Sequence, residues 1–404
     1  QELWHVDYVR LGNAAVTQEV FRDIAFTLPP KSILSPYTSM PSSQFTVEEV
    51  RPNVFSSVRN FDQFNVGMND PTIVVSHEGT TLMSRTFIEP VSNWTLAPGT
   101  IAFDFPLNDG GSTNLQKLQS GMEGIIEAGN NYRFDAELTF SRGDEISGAA
   151  NNNQVRRTTL FSNYLAYDDG TAESAIIDQG TGSQRTILAN EYHTNVADKL
   201  QGVQIMFPHI EGDISSQRFN LKIWVDSLDD EPEYEARALR PYYPDQFFDT
   251  LQGYTTYDLR DTADEKIAID LPVGRFYIGW EQVDLSGLKI SVGYDLNSPE
   301  GSEFFYFNSG DLWTKIGSSG VVRQGALMIR PVLGNETVIS TPVLETSPER
   351  ILFYPNPSTG VFRIQAPVVE IQNWKMEVYN PLGQRLIRGP LLPQIDLSGH
   401  TPGT

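Results

Sequence analysis

The chain has 404 residues, enough for several hydrophobic cores, and sets 29 basic against 51 acidic residues for a formal net charge of −22. That balance, without any clustered stripe of Lys and Arg, excludes a phosphate-gripping nucleic-acid binder, and the count of 0 Cys excludes thiol catalysis, thiolate metal ligation and disulfides. Gly 32 and Pro 25, with frequent Thr, Ser, Asn and Tyr, point to an all-β chain of tandem β-sandwiches, and no run of about 18 apolar residues offers a membrane-spanning helix.

In chain order, Trp4, Val6 and Tyr8 alternate with His5 and Asp7, the period of a strand. Residues 1–30 therefore read as the end strand of a sandwich or as an N-terminal arm, closed by the crossing Leu28-Pro29-Pro30. Residues 31–155 carry the turn spacing of an Ig-like β-sandwich, with strands expected at Gln44–Val50, Thr72–Ser76, Thr80–Phe87 and Thr100–Phe105. Further on, Leu115, Leu118, Met122 and Ile125 recur at helical spacing but are interrupted by Gly121 and Gly124, so the stretch to Ala128 reads as a loop or short helix. The three consecutive Asn at 151–153 suit a linker or an exposed hairpin.

Residues 156–334 form a second expected sandwich, with strands at Lys199–Phe207, Arg218–Val225 and Gly325–Val332 in a set long enough for two packed sheets. Trp280 sits in an apolar strand and reads as core. Trp224 alternates out of phase with Phe219 and Ile223, which places it outside or at a domain contact. An exposed indole face stacks on a pyranose ring, so Trp224 is the glycan-binding candidate, beside Trp94 and Trp313. Residues 335–349 lack periodicity and read as a linker, and residues 350–404 read as a small separate β-module of short strands and proline turns.

The sequence lacks the Gly-x-Ser-x-Gly, His-Glu-x-x-His, phosphate-loop and dinucleotide patterns. The five His, at 5, 77, 193, 209 and 400, are scattered over different expected elements. The chain is therefore read as non-enzymatic, with a catalytic domain before Gln1 left open. Among the carboxylates, Asp229-Asp230-Glu231-Pro232-Glu233 reads as a solvated loop. Asp168, Asp169 and Glu173 surround Gly170 at a spacing that suits the oxygen ligands of a Ca²⁺ ion, or equally an Asp-capped turn.

Three motifs near the end carry a family resemblance. They are Tyr354–Phe362 (with Pro355, Asn356, Pro357, Gly360 and Phe362), Val378–Gln384 (with Tyr379, Asn380, Gly383 and Gln384), and Ile395–Gly399 (with Leu397), followed by Gly403. In order and spacing they resemble the type A C-terminal sorting domain of proteins exported across the outer membrane of Bacteroidetes by the type IX secretion system. The resemblance implies a secreted or cell-surface protein whose partners are the type IX translocon, an outer-membrane shuttle β-barrel and a sortase-like peptidase. It also implies that the domain runs on past Thr404 through an aromatic strand and a basic end.

Other stretches resemble what accompanies such domains. Tyr164–Ala175 with Phe276–Gln282 is similar to a jelly-roll module that precedes them, a type that often holds structural Ca²⁺. Leu96–Thr100 and Arg133–Phe140 are similar to adhesion-type spacers, and Leu3–Leu11 resembles the final strand of a lectin-like sandwich, implying a chain that begins inside a domain. Asp226-Ser227-Leu228, Asp249-Thr250-Leu251 and Asp261-Thr262-Ala263 resemble the O-glycosylation acceptors of these bacteria, with Ser227, Thr250 and Thr262 as the hydroxyls. The expected function is structural or adhesive, with surface glycans as further partners and no cofactor beyond structural Ca²⁺. The alternatives are the accessory tail of a secreted peptidase or glycosidase, or a pair of carbohydrate-binding modules.

Overall fold

A computed structural model of the chain describes residues 23–87, 95–107, 113–141, 152–177, 186–208, 213–242, 253–283, 288–310, 312–316 and 324–334, together with five strands between 352 and 396. The fold is all-β and multi-domain, as the composition predicts. Two compact units divide it: Gln1–Asp245 with Gly253–Ile339, and Gln246–Gln252 with Ser340–Thr404. Among the described residues no helix is long and apolar enough to cross a membrane, which leaves membrane-crossing strands unaddressed.

The first unit holds two sandwiches. In the first, strands Ile24–Leu28, Asn53–Asn60 and Gly99–Pro106 make one antiparallel sheet. Facing it are Ser39–Met40, Gln154–Phe161, Tyr132–Ser141, Asn69–His77 and Thr80–Thr86. Alternation along these strands sends Val54, Val58, Ile73, Val75, Phe134 and Leu138 into a common core in which each is almost fully buried. Ile24–Leu28 belongs to this sandwich, so its sheet begins before residue 31. The expected boundary at 155/156 falls inside a strand: Gln154–Phe161 pairs along its whole length with Tyr132–Ser141.

Two further elements differ from, or sharpen, the sequence reading. Gln44–Val50 is not a strand but a pair of 3₁₀ turns, Ser42–Gln44 and Val47–Glu49. Pro41 and the two serines after it start a turn, and the Gln44 side chain is spent on contacts to Asn195, Val196 and Asp198. The glycine-interrupted stretch is an α-helix, Asn114–Glu123, burying Leu118 and Met122. Gly121 lies inside it against Leu82, where a Cβ would sit in ordinary contact at 3.6 Å; Gly124 follows its end.

In the second sandwich, six antiparallel strands run in the order Tyr234–Leu239, Phe219–Val225, Gly274–Gln282, Ile187–Thr194, Phe305–Asn308 and Trp313–Lys315. The opposing layer contains Asp198–Met206, flanked by Tyr254–Asp258, Ile269–Leu271 and Ile329–Leu333, and the set Ser174–Ile177, Ser291–Asp295 and Ala326–Leu327. Polar groups cross the core in pairs: the Tyr192 hydroxyl donates to the carbonyl of Ile329 and the Asn190 amide to that of Leu327.

The segment 162–168 joins the sandwiches while bonded to both. Ser162 and Ala166 donate to the carbonyls of Met40 and Ser39, Leu165 donates to Pro331, and Leu333 donates back to Asn163. Tyr37 stacks on Tyr167, whose ring stacks in turn on Tyr192 and Phe304. Lys31 and Arg51 both bond Glu300, each at 2.7 Å. Burial opposes the ionisation of Glu300, but these two cations outweigh it and hold its carboxyl down at about 2.

In the second unit, Leu352–Tyr354 and Gln394–Asp396 flank Val361–Gln365, all antiparallel, and Lys375–Tyr379 pairs with Arg385–Pro390.

Candidate functional site

The carboxylates that converge are Asp169, Glu173 and Asp295, whose oxygens all lie within 4.8 Å of one another. The first two come from the loop after the connector, and the third ends the strand Ser291–Asp295, which pairs with Ser174–Ile177 directly after Glu173. Strand pairing therefore brings the two chain segments together. Gly170, at φ +92, turns the loop in a conformation open to glycine, so that Asp169 Oδ1 faces the Thr171 N–H at 2.9 Å. The Thr171 hydroxyl sits between Asp169 Oδ1 (2.6 Å) and Glu173 Oε1 (2.9 Å). Asp295 accepts from the backbone N–H groups of Asp169 (2.6 Å) and Asn297 (2.7 Å), and Glu173 Oε2 from that of Leu296 (3.0 Å).

The electrostatics of the trio are unbalanced. Arg157 Nη1 stands 3.4 Å from Asp169 Oδ2, one cation against three carboxylates. Asp295 is fully buried. Burial first, and the neighbouring Asp169 charge second, push its carboxyl up to about 8. Oxygen atoms of this kind, partly backbone-fixed and in excess of local positive charge, match in type the ligands that a hard divalent cation such as Ca²⁺ takes.

Asp168, expected in the same cluster, is directed elsewhere. Its carboxylate is paired bidentately with Arg330 and also accepts from the Tyr254 hydroxyl (2.6 Å) and the Gly170 N–H (2.9 Å). The Arg330 guanidinium lies between the rings of Tyr164 and Tyr254, at 4.8 and 4.0 Å. Burial works against the Arg330 charge, and the adjoining Asp168 outweighs it and raises its pKa. The sequence missed Asp295 because it lies 126 residues from Asp169, with only its place at a strand end to mark it.

Trp224 is on the side of its sheet opposite Phe219 and Ile223, but the indole is covered: it is 4% exposed. Gly279 makes this possible, since a Cβ there would come within 2.8 Å of the ring. Its Nε1–H donates to Asp230 O and the ring meets Trp313 edge-on at 5.6 Å. The expectation of an exposed, sugar-stacking Trp224 is corrected by this cover of loop and ring. Trp280 is core, as expected.

Ser227 is half-buried, accepting from the Asp229 N–H, while Thr262 is exposed in a turn organised by Asp261. Thr250 and Trp94 lie outside the described residues. His77 bonds the Arg133 carbonyl and packs on Phe134, and His193 is an exposed strand residue. Of the sorting-motif positions, Phe362 and Tyr379 fall in described strands. Pro355, Asn356, Pro357, Gly360, Asn380, Gly383, Gln384, Leu397 and Gly403 lie outside the described residues. No protein-family model and no curated protein matches the chain.

Proposed function

We propose that this chain is the non-catalytic β-sandwich region of an exported cell-surface protein, with residues 350–404 serving as the address that a type IX translocon and its shuttle β-barrel read. The observation that carries this reading is the ordered set Tyr354–Phe362, Val378–Gln384 and Ile395–Gly399, which falls in a compact unit distinct from the two sandwiches. Along the sequence, Leu352–Tyr354 and Val361–Gln365 precede and follow residues 355–360, and Lys375–Tyr379 and Arg385–Pro390 precede and follow residues 380–384. The sandwiches ahead of it serve structural or adhesive display, and Asp169, Glu173 and Asp295 hold a structural Ca²⁺ that offsets their excess charge.

The test is export. Residues 340–404, with whatever the gene encodes after Thr404, are fused to a periplasmic reporter. The reporter is expected at the surface of a type IX-competent host and in the periplasm of the same host without the translocon. A reporter that stays periplasmic in both hosts refutes the proposal.

A further inference from the structure

The sequence Asn69-Asp70-Pro71-Thr72 contains the single Asp-Pro bond in the 404 residues. It lies at the start of the strand Asn69–His77, where the ladder to Tyr132–Ser141 slips between Asn69↔Ser141 and Thr72↔Thr139. Asp70 is exposed and held at φ +49. A left-handed conformation is uncommon for a residue with a Cβ, although Asp adopts it more readily than most. It is less favourable still before proline, whose Cδ crowds the preceding N–H and Cβ. The strain cannot relax by moving Pro71, which is buried and accepts from the Phe87 N–H at 2.9 Å.

The Asp70 carbonyl, meanwhile, accepts a hydrogen bond from the Thr72 hydroxyl at 3.0 Å, and that hydroxyl lies 3.0 Å from Thr86 Oγ1. A donor fixed on a carbonyl oxygen stabilises the charge that develops there when its carbon is attacked. Three features thus meet at one peptide bond: a side-chain carboxylate in reach of its own carbonyl, a strained backbone and a polarised carbonyl. The charged side chains nearest along the neighbouring strands are Arg85, paired with Ile73, and Glu137, paired with Val74, both further along the ladder.

We propose that Asp70–Pro71 is a fold-activated self-cleavage site. An Asp70 carboxylate oxygen attacks the Asp70 main-chain carbonyl carbon and closes a five-membered cyclic anhydride. The C–N bond to Pro71 breaks, and a solvent proton ends on the proline nitrogen. Water then opens the anhydride, leaving Asp70 with two carboxyl groups and Pro71 with a free amine. The net reaction consumes one water and no other reagent. The strand stays in place, because its residues after the cut remain bonded to Thr80–Thr86 on one side and Tyr132–Ser141 on the other.

The experiment incubates the full chain at about pH 4, acidic enough for solvent to supply the proton that the departing proline nitrogen takes, in native buffer and in urea. Denaturing electrophoresis and terminal sequencing read the products. Polypeptides 1–70 and 71–404 are expected, formed about tenfold faster from the folded than from the urea-unfolded chain, the factor that strain released in the transition state gives. Asp70→Glu, which keeps the charge but enlarges the ring, is expected to stop cleavage while circular dichroism shows an unchanged fold, and Thr72→Val to slow it several-fold. An equal or higher rate in urea, or undiminished cleavage in Asp70→Glu, overturns the proposal.

Discussion

Replacing Asp168 by Asn separates a structural carboxylate from a metal ligand. In the native chain the Asp168 and Arg330 side chains are 0% and 8% exposed, and Tyr254 and Gly170 complete the carboxylate's hydrogen bonds. Asn fills the same space and can still accept from Tyr254 and Gly170, so the change removes mainly the negative charge. A guanidinium left uncompensated at this depth costs about 3–5 kcal/mol. At about 2–4 °C per kcal/mol for a domain of 150–250 residues, melting falls by roughly 6–20 °C. The double variant Asp168→Asn/Arg330→Met removes the stranded charge and keeps an apolar stem between the Tyr164 and Tyr254 rings, so it regains about 2 kcal/mol or more. Urea and thermal unfolding followed by circular dichroism measure both. A cost for Asp168→Asn under about 1 kcal/mol, or a double variant no more stable than the single one, refutes the argument.

Asp295 gives a pH prediction with a definite sign. Its folded pKa of about 8 lies above the ordinary value near 3.9, so the folded state holds a proton that the unfolded state has lost. Without divalent cation, stability therefore falls as pH rises from about 4 to 8, and at the top of that window Ca²⁺ restores it, by about 2.7 kcal/mol at a hundred times Kd. Asp295→Asn flattens both responses, and Asp168→Asn leaves the calcium increment in place. Wild-type melting indifferent to both pH and calcium contradicts the site. For Trp224, truncation to Ala is expected to cost about 3–5 kcal/mol, the scale for a buried aromatic. Gly279→Ala, which drives a methyl at the indole, costs about 1–3 kcal/mol. Urea midpoints unmoved by either change would mean that the ring is not packed as described.

What the sequence made legible was local. Turn-bounded β-rich runs and alternation placed the strands at Thr72–Ser76 and Arg218–Val225, because both signals are written in neighbouring residues. Alternation also put Trp224 on the correct side of its sheet, but not under cover, since the cover comes from the loop carrying Asp230 and from Trp313. The same limit governs the carboxylates. Asp168, Asp169 and Glu173 share a loop and look alike in sequence, yet Arg330, 162 residues on, claims the first, while Asp295, 126 residues on, joins the others. The false strand at Gln44–Val50 arose in the same way: the pattern is β-like, but Gln44 is committed to Asn195, more than a hundred residues away.

That long-range commitment explains why the boundary between the sandwiches resists placement by composition. A linker is recognised by residues that make few contacts, and the connector 162–168 is the reverse, bonded to Ser39 and Met40 on one side and to Pro331 and Leu333 on the other. Tyr37 reaches across to give and take hydrogen bonds with the His193 backbone, and Gln44 does the same at Asn195 and Val196. Arg51, nearly buried, anchors Glu300. A hinge needs a few residues free to change φ and ψ, and here the residues between the sandwiches are the ones most tied down. A cut at residue 155 would sever the first sandwich's own strand, and a cut after Phe161 would still strip Tyr167 of the Tyr37 ring and Glu300 of both cations. The two sandwiches are therefore one mechanical piece.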